Sequence, residues 1–114
     1  MSNIKIVNVR HWKGEEGWSG IYCGRGRAPH GMEAAGLGNP LKVGQGYTQG
    51  EAAAAYLPHL RKRCRTDTHE RRTVLALARR YHAGENLALA CWCSPKPCHC
   101  EAIQAAVVGF AGRM

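Results

Sequence analysis

A chain of 114 residues, 45% hydrophobic and 21% charged, has the length for one core and not two, and a composition unlike that of a disordered segment. Its 16 Lys and Arg against 8 Asp and Glu leave a formal charge of +8, which points to an anionic partner (DNA, RNA or a nucleotide), with a merely solubilising surface as the alternative. No run is long enough to span a bilayer, and "MSNIKIVNVR" lacks the ordered basic, apolar and small-residue regions of an export signal, so no membrane partner is expected and cytoplasmic residence, where thiols stay reduced, is.

In chain order, "IKIVNVR" is dense in β-branched residues (Ile4, Ile6, Val7, Val9) and predicts a strand covered on both faces. A shorter strand is expected around Ile21 to Cys23, ended by Gly24 and Gly26. Residues 24–50 then carry eight glycines and two prolines with no apolar period, which predicts a functional glycine-rich loop or a short hidden element. "TQGEAAAAYLPHLRKRC" places Ala53, Tyr56, Leu57, Leu60 and Cys64 at helical spacing, with Pro58 expected to kink or split the helix. Asp67 with Glu70 reads as the next helix start, Val74, Leu75, Ala78 and Tyr81 as its buried stripe, and Gly84 as its stop. The unbroken run "LALACW" reads as a central strand, and the segment after "KPCHC" as a helix burying Ile103, Ala106, Val107 and Phe110, with Gly112 near its end. The expected fold is α/β: a small single-domain layered structure over residues 1–114, with about three strands and helices packed on the sheet, Rossmann-like.

Four of the six cysteines stand in the decapeptide "CWCSPKPCHC", residues 91–100, where the last strand passes to the last helix. Carboxyl ends of strands are where open α/β sheets usually bind ligands. Residues two apart in a strand share a face, so Cys91 and Cys93 project together and Trp92 points the other way, into the packing. "SPKP" makes a stiff return, and Cys98 arrives near a helix start, where thiolates are favoured. Three converging sulfurs suit a metal; His99, Cys100, or a distant Cys23, Cys64 or histidine would complete the set. Zinc is favoured, an iron–sulfur cluster is the alternative, and a metal-free site comes third. Cytoplasmic residence disfavours disulfides, Cys98 beside His99 is the candidate for a reactive thiol, and Cys64 and Cys23 suit apolar filler.

"VNVR", "YCGRG", "LGNPLKVG" and "LALACWCSPKPCHC" occur in an order that resembles the phage and bacterial family catalogued as domain of unknown function 4326. The resemblance covers most of the chain and supplies landmarks rather than a reaction. It implies that Asn8, Arg10, Gly24, Arg25, Gly38, Asn39, Pro40, Cys91, Cys93, Cys98 and His99 occupy the family's motif positions, and a phage-encoded chain would reside in the host cytoplasm. The family pattern usually has glycine after Cys-His, so Cys100 departs from it and His99 is preferred as the fourth ligand. Cys23 replaces an aliphatic residue, in keeping with filler.

The glycines of "GRG" and "LGNP" would let backbone N–H groups approach an anion, with Arg25 and Arg27 forking onto phosphate; plain turn formation is the alternative reading. Neither the dinucleotide fingerprint nor the P-loop is present. Three functions fit these residues. A metal-dependent enzyme acting on a nucleotide or nucleic acid would use Cys91, Cys93 and Cys98 as ligands, His99 as fourth ligand or proton donor, and Arg10, Arg25 and Asn39 on phosphate. Glu101 is the one carboxylate near its cluster. A DNA- or RNA-binding module with a structural metal would place Arg61, Lys62, Arg63 and Arg65 on phosphates, with duplex favoured because aromatics are only 7%. An interaction protein binding a host factor is the third. The first two agree on a metal-binding domain with a nucleotide or nucleic-acid partner.

Overall fold

The computed structural model describes residues 3–29, 31–38, 48–92 and 98–114. Four strands, β1 (Ile4–Asn8), β2 (Trp18–Tyr22), β3 (Glu33–Ala34) and β4 (Asn86–Cys91), pair in parallel in the order β1-β4-β2-β3. Three helices accompany them, α1 (Gln49–Arg63), α2 (His69–His82) and α3 (Cys100–Ala111). The α/β expectation stands, with four strands instead of three: β3 is a two-residue strand within the glycine-rich stretch. Residues 39–47 of that stretch lie outside the described residues.

Position in the sheet explains the strand compositions. β4 runs between β1 and β2, and Leu87 to Cys91 are all buried, as its apolar run requires. β1 is an edge strand in which only Ile4 is fully buried, so the expected cover on both faces is incomplete. Alternation sorts the side chains into two packings. Ile4, Ile21, Leu87, Leu89 and Cys91 face the helices and join Tyr56, Leu60, Val74, Ile103 and Val107 in the main core. Val9, Tyr22 and Ala90 form a smaller cluster on the opposite face, backed by Val7, Ala28 and Met32. There Trp12 lies over β2 so closely that a Cβ on Gly20 would meet its ring at 2.7 Å.

The helices differ from expectation in detail. α1 is one continuous helix through Pro58, which is exposed; Thr48 and Glu51 close a capping box at its start. Its deeply buried residues are Ala52, Tyr56 and Leu60, with Cys64 at the C-cap; Ala53 is only half-buried. α2 is capped by Thr68, not Asp67: the Thr68 hydroxyl accepts from Arg71 N (3.1 Å) and donates to the Arg63 carbonyl (2.7 Å). Asp67 pairs with Arg72 instead. Leu77, not Leu75, is buried beside Val74 and Ala78. Gly84 follows α2 with φ +95°, as a stop there requires. α3 lies against β1, β4, α1 and α2. Arg80 ties α2 to the sheet through Glu33 (2.8 and 2.9 Å) and Glu85, whose carboxylate also accepts from Ser19 Oγ on β2.

Because every strand runs the same way, their carboxyl ends (Asn8, Tyr22, Ala34 and Cys91) lie along one edge. Among the described residues, no helix is long and apolar enough to cross a membrane.

Candidate functional site

β4 ends in Cys91, and α3 starts at Cys100, two residues beyond Cys98. The strand tip and the helix start bring Cys91, Cys98 and Cys100 together: their Sγ atoms all lie within 4.8 Å of one another, and all three residues are buried. Cys98 Sγ and Cys91 Sγ are 2.7 Å apart. Three thiolates around one tetrahedral ion, at about 2.3 Å each, would sit about 3.8 Å apart. The closest pair, at 2.7 Å, would part by about 1 Å to reach that value.

As free thiols, Cys98 and Cys100 resist ionisation. Hydrogen bonds with Cys23, Cys91 and Cys98, and then burial, push the Cys100 thiol far above its ordinary range. At Cys98 the hydrogen bond with Cys100 pulls downward, but contact with Cys91 and burial outweigh it, and the net direction is up. Bound to such sulfurs, a divalent cation displaces their protons, since its charge makes thiolate the stable form.

His99 sits between the two helix-side cysteines. Its Nε2 is 2.5 Å from the Cys23 carbonyl, which assigns the ring proton to that nitrogen and leaves the Nδ1 lone pair 3.7 Å from Cys98 Sγ. Burial lowers its pKa and so favours the neutral ring. Tyr56 packs against it in a T-shaped pair, ring centroids 5.0 Å apart, and the Tyr56 hydroxyl donates to the Leu37 carbonyl at 2.8 Å. The Cys23 carbonyl and the Tyr56 ring, itself held by the Leu37 carbonyl, orient the imidazole.

Of the ligands expected from sequence, Cys91 and Cys98 come together with His99 beside them, and Cys93 lies outside the described residues. Cys100, which the family pattern counted against, supplies the third sulfur. Cys23, read as filler, is buried, donates to the Ile21 carbonyl and contacts Cys100. Cys64 stays with the helices, outside the group. Trp92 does point away from the cysteines, but it is 50% exposed rather than packed.

The expected phosphate contacts divide into two places. Arg10 and Arg25, both exposed, follow β1 and β2 at the carboxyl edge. Asn8 Oδ1 accepts from Arg10 N (2.8 Å) and so shapes the turn there. A Cβ on Gly38 would come within 2.6 Å of Arg25 Cγ and 3.2 Å of Arg25 N, so glycine is needed there for the "GRG" and "LG" segments to touch. Asn39 lies outside the described residues. Arg61 and Arg65 instead join Arg71 and Arg113 around a cavity of about 530 Å³ floored by Leu57, Ala106 and Phe110, which includes none of the cysteine triad. Lys62 is exposed, and Arg63 is committed to Glu70 at 2.8 and 3.3 Å.

The model of one protein family, described as Domain of unknown function (DUF4326), matches residues 7–109 of this chain. The chain belongs to that family. The DUF4326 match spans β2 to β4, α1 and α2 entirely and includes Cys91, Cys98, His99 and Cys100. No curated protein and no solved structure matches the chain.

Proposed function

We propose that this DUF4326 domain holds a metal ion through Cys91, Cys98 and Cys100, and that the loaded domain binds a nucleotide or nucleic acid. The observation that carries the metal is the convergence of three buried sulfurs within 4.8 Å. Zinc is the favoured ion: it takes sulfur-rich tetrahedral sites, and sulfurs this close suit one shared ion. An iron–sulfur cluster places its thiolates on separate irons and spreads them wider. His99 Nδ1 is the available fourth donor, and Cys93 is its competitor from sequence. A charge of +8, with Arg10 and Arg25 at the carboxyl edge, supports the anionic partner. No catalytic step is assigned, because among the described residues no carboxylate joins the cysteine group to serve as a base.

Cobalt(II) titration of chelator-treated protein tests the site. Thiolate-to-cobalt absorption and tetrahedral visible bands, competed away by zinc and diminished in Cys100→Ser, are the expected outcome. Cobalt spectra of an oxygen-coordinated ion, or spectra unchanged by Cys100→Ser, contradict the ligand set.

A further inference from the structure

All three tryptophans of the chain line a single groove on the sheet face opposite the cysteines. The groove has a volume of about 690 Å³, within the size class of small-molecule sites. Two of its indoles are built into the wall: Trp12 covers Gly20, and Trp18 lies beneath the Lys5 ammonium, 4.1 Å from the ring centroid. The third, Trp92, is half-exposed yet held. Its Nε1 donates to the Tyr22 hydroxyl at 3.0 Å, and that hydroxyl donates to the Arg25 carbonyl at 2.7 Å. An indole fixed through its N–H while half its surface faces solvent is a pre-oriented stacking shelf.

Charge then selects the ligand. Arg10 and Lys13 line the same groove, and Glu15, the one carboxylate in its lining among the described residues, is bound to Lys5 at 2.5 Å. A flat aromatic surface beside two cations matches a nucleobase joined to phosphate. We propose that the groove receives a nucleotide, free or as a unit of a single strand, with its base stacked on Trp92 and its phosphate drawn to Arg10 and Lys13. This rests on the nucleotide-partner reading above but not on the metal, because Cys91 and Trp92 lie on opposite faces of the sheet. It also revises the expectation of duplex: aromatics are few, but the fold gathers the tryptophans in one place.

The test is tryptophan-fluorescence titration of the full chain, purified without chelator, using adenosine monophosphate and a single-stranded decathymidylate. Saturable quenching is expected, with affinity reduced about 10- to 100-fold in Trp92→Leu, the loss of one base stack. Arg10→Ala should weaken binding while leaving circular dichroism and metal content unchanged. Saturation by the mononucleotide identifies a free nucleotide as the ligand, and binding of the decathymidylate alone identifies a strand; either supports the groove. Binding of a probe at full affinity in both Trp92→Leu and Arg10→Ala overturns the groove and leaves the nucleotide partner standing elsewhere. Absence of binding by either probe overturns both.

Discussion

Gly24→Ala offers a stringent test of how the carboxyl edge is assembled. A Cβ at residue 24 would lie 2.5 Å from the Tyr22 hydroxyl oxygen, 2.7 Å from Cζ and 2.9 Å from Cε1. Ordinary contact begins at 3.4 Å, so the phenol must retreat by about 0.9 Å. It has little room, being 3% exposed and packed with Val9 and Ala90. A retreat of that size also strains the bonds to the Arg25 carbonyl and from Trp92 Nε1. Overpacking costs about 1–3 kcal/mol and each of the two hydrogen bonds about 1 kcal/mol, giving a loss of about 3–5 kcal/mol. At about 4 °C per kcal/mol for a domain of this size, Tm falls by about 12–20 °C. Thermal melts at equal metal loading read the loss, and a change in near-ultraviolet circular dichroism reports release of Trp92. In a Tyr22→Phe background the two bonds are already gone, and Gly24→Ala should cost only the remaining ring crowding, about 1–2 kcal/mol. A Gly24→Ala melt within about 2 °C of wild type, or full additivity with Tyr22→Phe, refutes the reasoning.

Acid should weaken the Arg80 network in a defined window. Hydrogen bonds from Arg80 and then Ser19 hold the Glu85 carboxyl down at about 2, against an ordinary 4.5. The unfolded chain therefore takes up this proton first, so the stability it confers is complete above pH 4.5 and is lost as pH falls through about 2. With the side chain 36% exposed, solvent screening limits the contribution to about 1 kcal/mol; the melting-temperature gap between wild type and Glu85→Gln should close over that range. If the helix-side cavity contacts duplex phosphates, Arg61→Ala with Arg65→Ala lowers the slope of log K against log salt by about 1.8. Arg63→Ala lowers it less, since Glu70 already holds that guanidinium; fluorescence anisotropy across a salt series measures both. Ser at Cys91, Cys98 or Cys100 should each at least halve bound metal by elemental analysis, whereas Cys64→Ser leaves it unchanged. His99→Ala and Cys93→Ser, compared in the same assay, decide the fourth ligand.

The elements legible in the sequence are those whose patterns are long and one-sided. β4 reads as a central strand because five successive buried residues leave no polar face. β3 carries no such signal: Glu33 and Ala34 are both exposed and make two register pairs with β2, so only tertiary pairing defines them. Leu75 and Leu77 stand on different sides of α2, and Leu77 is the one placed beside Ile21 and Ala35. Pro58 reads as a break, yet exposure lets its ring and the unmatched carbonyl one turn earlier face solvent. The strand period correctly turns Trp92 away from Cys91, but cannot show that the opposite face lies open at that edge. Cys100 is hardest to read: it reaches Cys91 because α3 begins there and its side chain points back across the first turn, a geometry that residue spacing does not encode.

A shared inorganic centre is the claim on which the account turns, and metal analysis of native protein tests it most directly. The protein is purified anaerobically without chelator, and zinc and iron per chain are measured together with the reactivity of its thiols. The account predicts about one zinc per chain and Cys91, Cys98 and Cys100 unreactive until a chelator or denaturant is added. Protein free of zinc and iron, with those three thiols reacting independently and without a chelator, would contradict it.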